Sequence, residues 1–240
     1  MKRIKKICLL IGILVLGNVF YMLKIQMEYQ EGRQIYEEYR NEQYRKEISI
    51  EEIQGKNVSP IEFSRLERVN QEVVAWIWYE EANINYPIVQ GKDNEYYLTR
   101  TFNHKENACG TIMLNCDNSS KFSDGNTILY GHNMKDGSMF GGIEKLKNKD
   151  SISTQLWIYT PEQVLKYVVF SIAEVNVNHE IYQLSYTETE FEECIKQLQN
   201  ESFFWDLQKE IEEIKERELL TLSTCLQNKR IVLVAYLEEV

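Results

Sequence analysis

The hydrophobic and polar positions of the chain form three successive patterns. Residues 7–23 are apolar almost without interruption, and at about 1.5 Å rise per residue this run is at the short end of what spans a bilayer. Residues 28–53 carry charges of alternating sign with interspersed Tyr and Ile, a pattern that predicts a helix or a pair of helices. From about residue 75 onward, short apolar runs alternate with polar turns, which predicts a strand-rich domain. We therefore expect three regions, residues 1–24, 25–74 and 75–240.

The strand-rich region is interrupted by one helical insertion. Runs of strand type lie at residues 76–79, 84–89, 110–114, 127–130, 155–159, 164–177, 218–225 and 230–237. Many short strands with few long helices indicate a closed antiparallel barrel or a sandwich. Residues 188–200 and 203–217 have apolar side chains at i, i+3 and i+4 spacing, which predicts helices just before the final strand pair. Residues 61–74 predict a further short amphipathic helix.

The amino-terminal apolar run has the charge pattern of a membrane anchor. It is preceded by Lys2, Arg3, Lys5 and Lys6, and no small-x-small cleavage signature follows it. This favours an uncleaved signal anchor over a signal peptide that is removed. Because basic residues are retained on the cytoplasmic side, we expect a cytoplasmic amino terminus and an extracellular remainder.

Composition and charge narrow the class of protein. With 240 residues, of which 43% are hydrophobic, the chain can bury one sizeable core. The net charge is −10, and residues 1–24 hold five Lys or Arg and no acid, so the remainder is more acidic still. Such a surface repels phosphates, and we therefore expect no nucleic-acid partner.

The stretch 218–237 carries the first candidate for chemistry. Its first apolar run ends at Cys225, and its second run begins at Arg230 after a short polar connection. Two such runs predict adjacent strands, so that the guanidinium would lie beside the thiol and favour its thiolate. The alternative is a buried structural cysteine, because free Cys is among the most buried residue types.

The stretch 126–134, which reads NTILYGHNM, carries the second candidate. A strand-like run is broken by Gly131 and followed at once by His132, so that a titratable side chain lies just past a strand end. A cysteine and a histidine far apart in sequence are the components of a thiol nucleophile with an acid–base partner.

Together, these motifs resemble the sortase family. TLSTC (residues 221–225) followed by a strand that begins with Arg230, and YGHNM (residues 130–134) upstream, look like a sortase of class B, and the resemblance covers most of the chain beyond Trp76. It implies a mainly β, α+β fold: a closed eight-stranded barrel, amino-terminal helices that pack against it, and a long helical insertion before the cysteine strand.

The resemblance also implies roles for particular residues. Cys225 would attack the Thr carbonyl of an NPxTx- or LPxTG-like sorting signal, His132 would protonate the departing amine, and Arg230 would stabilise the oxyanion. The acyl group would pass from the surface protein to an amine of a peptidoglycan precursor. Residues expected to line the substrate groove are Ser223, Thr224, Asn94 and Leu98.

The remaining histidines and cysteines carry no recognisable motif. His104 and His179 stand in polar contexts and are expected to be solvated, and the chain has no metal or nucleotide motif, so that no cofactor is predicted. Outside the apolar run the cysteines are Cys109, Cys116, Cys194 and Cys225. A bridge between Cys109 and Cys116 is one possibility, whereas Cys225 is expected to be free.

Two other functions are compatible with these sequence features. A pilin-polymerising sortase would use a Lys of another subunit as the acceptor. A non-catalytic adhesion or scaffold domain would need the membrane anchor but would leave the Cys225 thiol inert.

Overall fold

The computed structural model describes residues 2–41, 59–149, 151–206, 211–215 and 217–238. The helices are α1 (Lys2–Arg40), α2 (Phe63–Glu67), α3 (Gly141–Lys145), α4 (Glu188–Glu201) and α5 (Ile211–Ile214). The strands are β1 (Val73–Tyr79), β2 (Ile84–Val89), β3 (Ile112–Leu114), β4 (Asn126–Tyr130), β5 (Gln155–Tyr159), β6 (Val164–Val175), β7 (Ser202–Trp205), β8 (Leu219–Leu226) and β9 (Lys229–Leu237).

Eight of the strands close into a barrel, which confirms the expected fold. Their order is β5-β1-β2-β3-β4-β8-β9-β6, and a further pairing of β5 with β6 closes the ring, while β7 extends β6 on the outside. The expectation of an antiparallel barrel was wrong, because β2 pairs with β3 and β4 pairs with β8 in parallel. Parallel neighbours require long crossover connections, and the segment between β4 and β8 includes the helical insertion.

The strands β8 and β9 separate two hydrophobic clusters. Leu220 and Leu222 face the larger cluster, which fills the barrel. Leu219 and Val232 face a smaller cluster on the outside, which is covered by α4. Because successive side chains of a strand point to opposite faces, residues 221, 223 and 225 share the outer face with Leu219. This alternation places the Cys225 side chain outside the barrel.

The helical insertion is only partly helical. Helix α4 matches the prediction for residues 188–200 and begins at a capping box formed by Thr187 and Glu190. The helix predicted for residues 203–217 was wrong at its start, because Phe204 and its neighbours pair with β6 as strand β7. Only Ile211–Ile214 is helical there, and residues 207–210 and 216 lie outside the described ranges. An available strand edge overrides helical spacing in so short a segment.

The helix predicted for residues 61–74 is also shorter than expected. Only Phe63–Glu67 is helical, and Val73 already pairs with Val89 of β2. The β-branched residues at the end of this segment favour the extended conformation, where they pack well in a sheet.

Helix α1 continues from the apolar run into the expected packing arm. By length and composition, the stretch Leu9–Arg40 could cross a membrane. Towards its carboxyl end, Ile35, Tyr36 and Tyr39 are buried against the barrel. The Arg40 Nε donates to the Asn85 carbonyl at 2.9 Å. The rest of the predicted arm, residues 42–58, lies outside the described part of the chain.

His179 is buried, which corrects the expectation that it is solvated. Its side chain caps a short turn, because Nδ1 accepts a hydrogen bond from the Ile181 N–H at 3.0 Å. Burial lowers the pKa of the His179 imidazole, and the carboxylates of Glu201 and Glu180 counteract this effect only in part. The folded protein therefore disfavours the charged ring.

This lowered pKa predicts a loss of stability in mild acid. The unfolded chain takes up the His179 proton near pH 6.5, so the stabilisation is complete above that pH and is lost as the pH falls towards the lower folded-state pKa. We expect His179→Gln to flatten the decline in urea midpoint between pH 7 and pH 5. Equal declines in the wild type and the variant would contradict this explanation.

Candidate active site

Cys225 and Arg230 face each other across the last hairpin. The two residues are direct partners in the antiparallel pair of β8 and β9, because the connection has only two residues, Gln227 and Asn228. Cys225 is exposed, and the Arg230 Nη1 donates to its Sγ at 3.2 Å. Lys229 is exposed and pairs with Leu226, so that its side chain points to the opposite face of the sheet. The hairpin therefore places one fixed cation beside the thiol.

The parallel pairing of β4 with β8 brings His132 to the same site. Tyr130 is the partner of Ser223, and the Gly131 N–H donates to the Ser223 carbonyl at 3.2 Å. His132 follows directly. A Cβ at residue 131 would lie 2.5 Å from the Ile112 side chain and 2.7 Å from that of Phe140, which explains the glycine at this position.

His132 and Cys225 line one open groove of about 610 Å³. The His132 Nε2 lies 2.6 Å from the carbonyl oxygen of Leu98, at hydrogen-bonding distance for a protonated Nε2. Leu98 is itself exposed. The structure therefore brings the predicted Cys225, His132, Arg230 and Leu98 together.

Asn133 belongs to this site although sequence reasoning did not single it out. Its Nδ2 donates to the Cys225 carbonyl at 3.0 Å and to the Glu144 Oε2 at 2.7 Å. These contacts tie the backbone of the cysteine strand to the segment that carries His132. The sequence did contain a signal that could have identified Asn133, because this residue directly follows the histidine in YGHNM.

The other predicted groove residues are less accessible. Ser223 is buried, and its Oγ lies 2.8 Å from the hydroxyl of Tyr182. Thr224 is also buried and lies on the face of β8 opposite Cys225, so the structure does not bring it to the groove. The Asn94 side chain accepts from the Cys116 N–H at 2.9 Å and donates to the Asn115 Oδ1 at 3.2 Å.

Tyr182 is a second component that the sequence did not reveal, because no motif surrounds it. Burial raises the pKa of its hydroxyl to about 12, although the hydrogen bond with Ser223 and the nearby Arg230 charge act in the opposite direction. Tyr182 is therefore a neutral hydrogen-bonding group beside the guanidinium.

Comparison with known proteins identifies the chemistry that this arrangement serves. The family model described as "Sortase domain" matches residues 79–238, which is well over half of the chain. The chain belongs to the sortase family. It is a cysteine transpeptidase, and its eight-stranded barrel is that of the class B sortases.

Several relatives of this sortase carry the class B name. Sortase B of Listeria monocytogenes is 31% identical over 167 residues, which are 68% of this chain and 67% of that protein. Sortase B of Staphylococcus aureus is 27% identical over 242 residues, with 97% of each chain covered. The crystal structure of sortase B from Bacillus anthracis in complex with AAEK1 is similar with a TM-score of 0.73 and 31% identity, and covers 89% of this chain and 99% of that one.

Members of this family act on proteins that bear sorting signals and on cell-wall precursors. Within the described ranges, no group of three or more His, Cys, Asp or Glu residues is arranged to hold a metal ion. The site at Cys225 brings together a thiol and an imidazole in one groove and a guanidinium in contact with the thiol.

The four cysteines with described side chains are all free thiols, and Cys109 and Cys116 form no bridge. Cys109 and Cys194 are buried, and burial raises the pKa of each thiol to about 12. Cys116 is half-buried, whereas Cys225 is exposed beside a cation.

These environments predict selective labelling. A methanethiosulfonate reagent at pH 8 is expected to modify Cys225 first and Cys116 more slowly, because the Cys225 side chain is exposed and that of Cys116 is half-buried. Cys109 and Cys194 should react only after denaturation. Peptide mapping by mass spectrometry gives the order, and labelling of either buried thiol as fast as Cys225 in the folded protein would contradict it.

Proposed function

We propose that this sortase is a membrane-anchored enzyme that joins a surface protein to a peptidoglycan precursor through a thioacyl intermediate on Cys225. The observation that carries the proposal is the exposed Cys225 thiol, 3.2 Å from the Arg230 guanidinium, in a groove that it shares with His132. The substrate is the Thr carbonyl of a sorting signal of the NPxTx or LPxTG type, which the class B resemblance favours in that order.

In the first step, the Cys225 thiolate attacks the Thr carbonyl carbon and forms a tetrahedral oxyanion. The C–N bond then breaks, and His132 donates its proton to the departing amine. Arg230 is permanently charged and carries several N–H donors in one plane, so it stabilises negative charge first on the sulfur and then on the oxyanion. The products of this step are the thioester and a released amine.

In the second step, an amine of the peptidoglycan precursor attacks the thioester. Neutral His132 accepts the proton of the attacking amine, and Cys225 leaves as a thiolate that Arg230 again stabilises. The exposed Leu98, whose carbonyl contacts the His132 ring, is the side chain best placed among the predicted groove residues to contact the peptide. Ser223 is buried and supports the site through its hydrogen bond with Tyr182. Asn94 holds the turn at Cys116 through the backbone N–H of that residue.

The amino-terminal region places this chemistry outside the cell. Residues 1–24 form the cytoplasmic basic end and the membrane anchor, residues 25–74 the extracellular arm, and residues 75–240 the catalytic domain. The basic residues that precede the apolar run support a cytoplasmic amino terminus. The apolar part of α1 is exposed along its length, which suits a lipid environment.

Intact-mass spectrometry of the full chain in lipid nanodiscs tests the proposal. The substrates are peptides with Asn-Pro-x-Thr or Leu-Pro-x-Thr before the scissile bond, offered with and without glycine, diaminopimelate or lysine amines. We expect an acyl adduct on Cys225 that an amine converts into a ligated peptide. The amine used most rapidly separates a cell-wall acceptor from the lysine of a pilin-type acceptor. Absence of any adduct or ligated product across the panel would contradict the proposal.

A further inference from the structure

The last turns of α1 reach the structure that surrounds His132. Tyr36 is buried, and its hydroxyl donates to the Gly110 carbonyl at 2.5 Å and lies 3.1 Å from the Thr111 Oγ1. These two residues lead directly into β3. The buried Tyr36 side chain is thus bonded to one short segment of the barrel.

Gly110 forms part of the wall beside the His132 ring. Its φ of +58° is in the left-handed region that favours glycine, and a Cβ built on it would lie 3.1 Å from the His132 Cδ2. The same Cβ would lie 2.8 Å from the Leu98 carbonyl oxygen, which is the oxygen that contacts the His132 Nε2. The backbone of residues 98 and 110 therefore limits where the imidazole can lie. Tyr36 does not line the groove, but its hydroxyl is bonded to this backbone at Gly110.

A second contact from α1 reaches the loop that follows His132. The Arg33 Nη1 lies 3.4 Å from the Asp136 Oδ2, while the Asp136 Oδ1 accepts from the N–H and the hydroxyl of Ser138. At the end of this loop, the Phe140 N–H donates to the His132 carbonyl at 3.0 Å. Arg33 therefore contacts a loop whose two ends meet at His132.

Tyr86 joins the two contacts. Its hydroxyl accepts from the Met139 N–H at 3.0 Å, and its ring packs edge-to-face against Tyr36 with centroids 5.2 Å apart. Helix α1 thus supports the histidine from both the Gly110 side and the loop side.

We propose that α1 positions the general acid of this enzyme, with Tyr36 and Arg33 as positioning residues that act through Gly110 and the loop 133–140. The helix that carries the anchor would then control how well His132 delivers a proton, in addition to attaching the domain to the membrane. The inference rests on the proposed role of His132 as the acid in the first step.

Packing alone does not require this arrangement. Ile35 and Tyr39 already bury apolar surface against the barrel, and the Tyr39 ring packs on Phe102 with centroids 4.9 Å apart. A buried hydroxyl aimed at the carbonyl beside the catalytic ring adds direction, because a hydrogen bond constrains geometry far more than an apolar contact does.

The test compares two substrates that differ only in the leaving group. The full chain in nanodiscs is given a sorting-signal peptide amide, and the same acyl group as a thioester, whose thiolate leaves without a proton. For Tyr36→Phe we expect about a tenfold fall in the single-turnover acylation rate with the amide, with KM unchanged, and less than a twofold change with the thioester. Tyr39→Phe removes a hydroxyl from the same helix and should leave both rates within twofold.

A loss of equal size on both substrates, or no loss on either, would overturn the inference while leaving the enzyme intact. Failure of the wild type to form the acyl-enzyme from either substrate would instead refute the proposed function.

A second variant and a measurement without substrate distinguish a loss of positioning from misfolding. Arg33→Gln should show the same selective loss, smaller than that of Tyr36→Phe, because the Arg33 side chain is half-exposed. In ¹H–¹³C spectra of histidine-labelled protein, Tyr36→Phe should move the His132 ring signals and leave those of buried His179 in place. Unchanged His132 signals would overturn the inference, whatever the thermal stability of the variant.

Discussion

Cys225→Ala is expected to abolish acyl-enzyme formation and to lower transpeptidation by at least about 10⁴-fold, because the reaction loses its nucleophile. The side chain is exposed at the end of β8, so the substitution leaves no cavity in the core. We expect the thermal midpoint of the variant to stay within a few degrees of the wild type. The loss is measured by using liquid chromatography to monitor product formation from a sorting-signal peptide and an amine.

Cys116→Ala is the matched control for this prediction. Cys116 is a second free thiol, half-buried and also outside the barrel core, and its backbone N–H is held by Asn94. Its removal should leave activity within about twofold. Retained transpeptidation by the Cys225 variant would show that this thiol is not the nucleophile.

Arg230→Lys is expected to lower kcat/KM by about 10² to 10³-fold, the usual cost of removing one oxyanion donor. Lysine keeps the positive charge but lacks the planar set of N–H donors that holds the Cys225 Sγ at 3.2 Å. The shorter lysine side chain would also end farther from the Cys225 sulfur, and its ammonium group can rotate. The loss should fall mainly on kcat, because the negative charge on the substrate oxygen develops only as the transition state forms.

Lys229→Ala provides the control for the arginine. The two residues are adjacent, yet the Lys229 side chain points to the opposite face of β9 and is exposed. Its loss should change kcat/KM by less than about twofold. If the Lys229 variant lost as much activity as Arg230→Lys, the local potential and not the guanidinium geometry would govern the reaction.

The positions of most strands could be predicted from the chain alone. The runs expected at residues 84–89 and 155–159 are strands β2 and β5 with the same bounds, and the 127–130 run differs from β4 by one residue. Short β-branched runs bounded by polar turns are local signals, and the structure did not override them. The opposite happened at residues 202–205, where the edge of β6 drew a helix-like sequence into strand β7.

The proximity of Cys225 and Arg230 was also predictable. A two-residue turn fixes the register of a hairpin, and so a separation of five residues makes them direct partners on one face. His132 was recognisable as a residue just past a strand end, but its distance from the thiol depends on the parallel pairing of β4 with β8. That pairing joins segments almost a hundred residues apart.

The anchor pattern, the strand runs, the Cys225–Arg230 hairpin and the resemblance to the sortase family could all be read from the order of residues. The folded chain was needed to show that His179 is buried, that Thr224 faces away from the groove, and that Asn133, Tyr182 and Tyr36 contact parts of the site. Side-chain periodicity indicates which face of an element is buried. The identity of the neighbour on that face depends on how distant segments pack, and no local pattern encodes it.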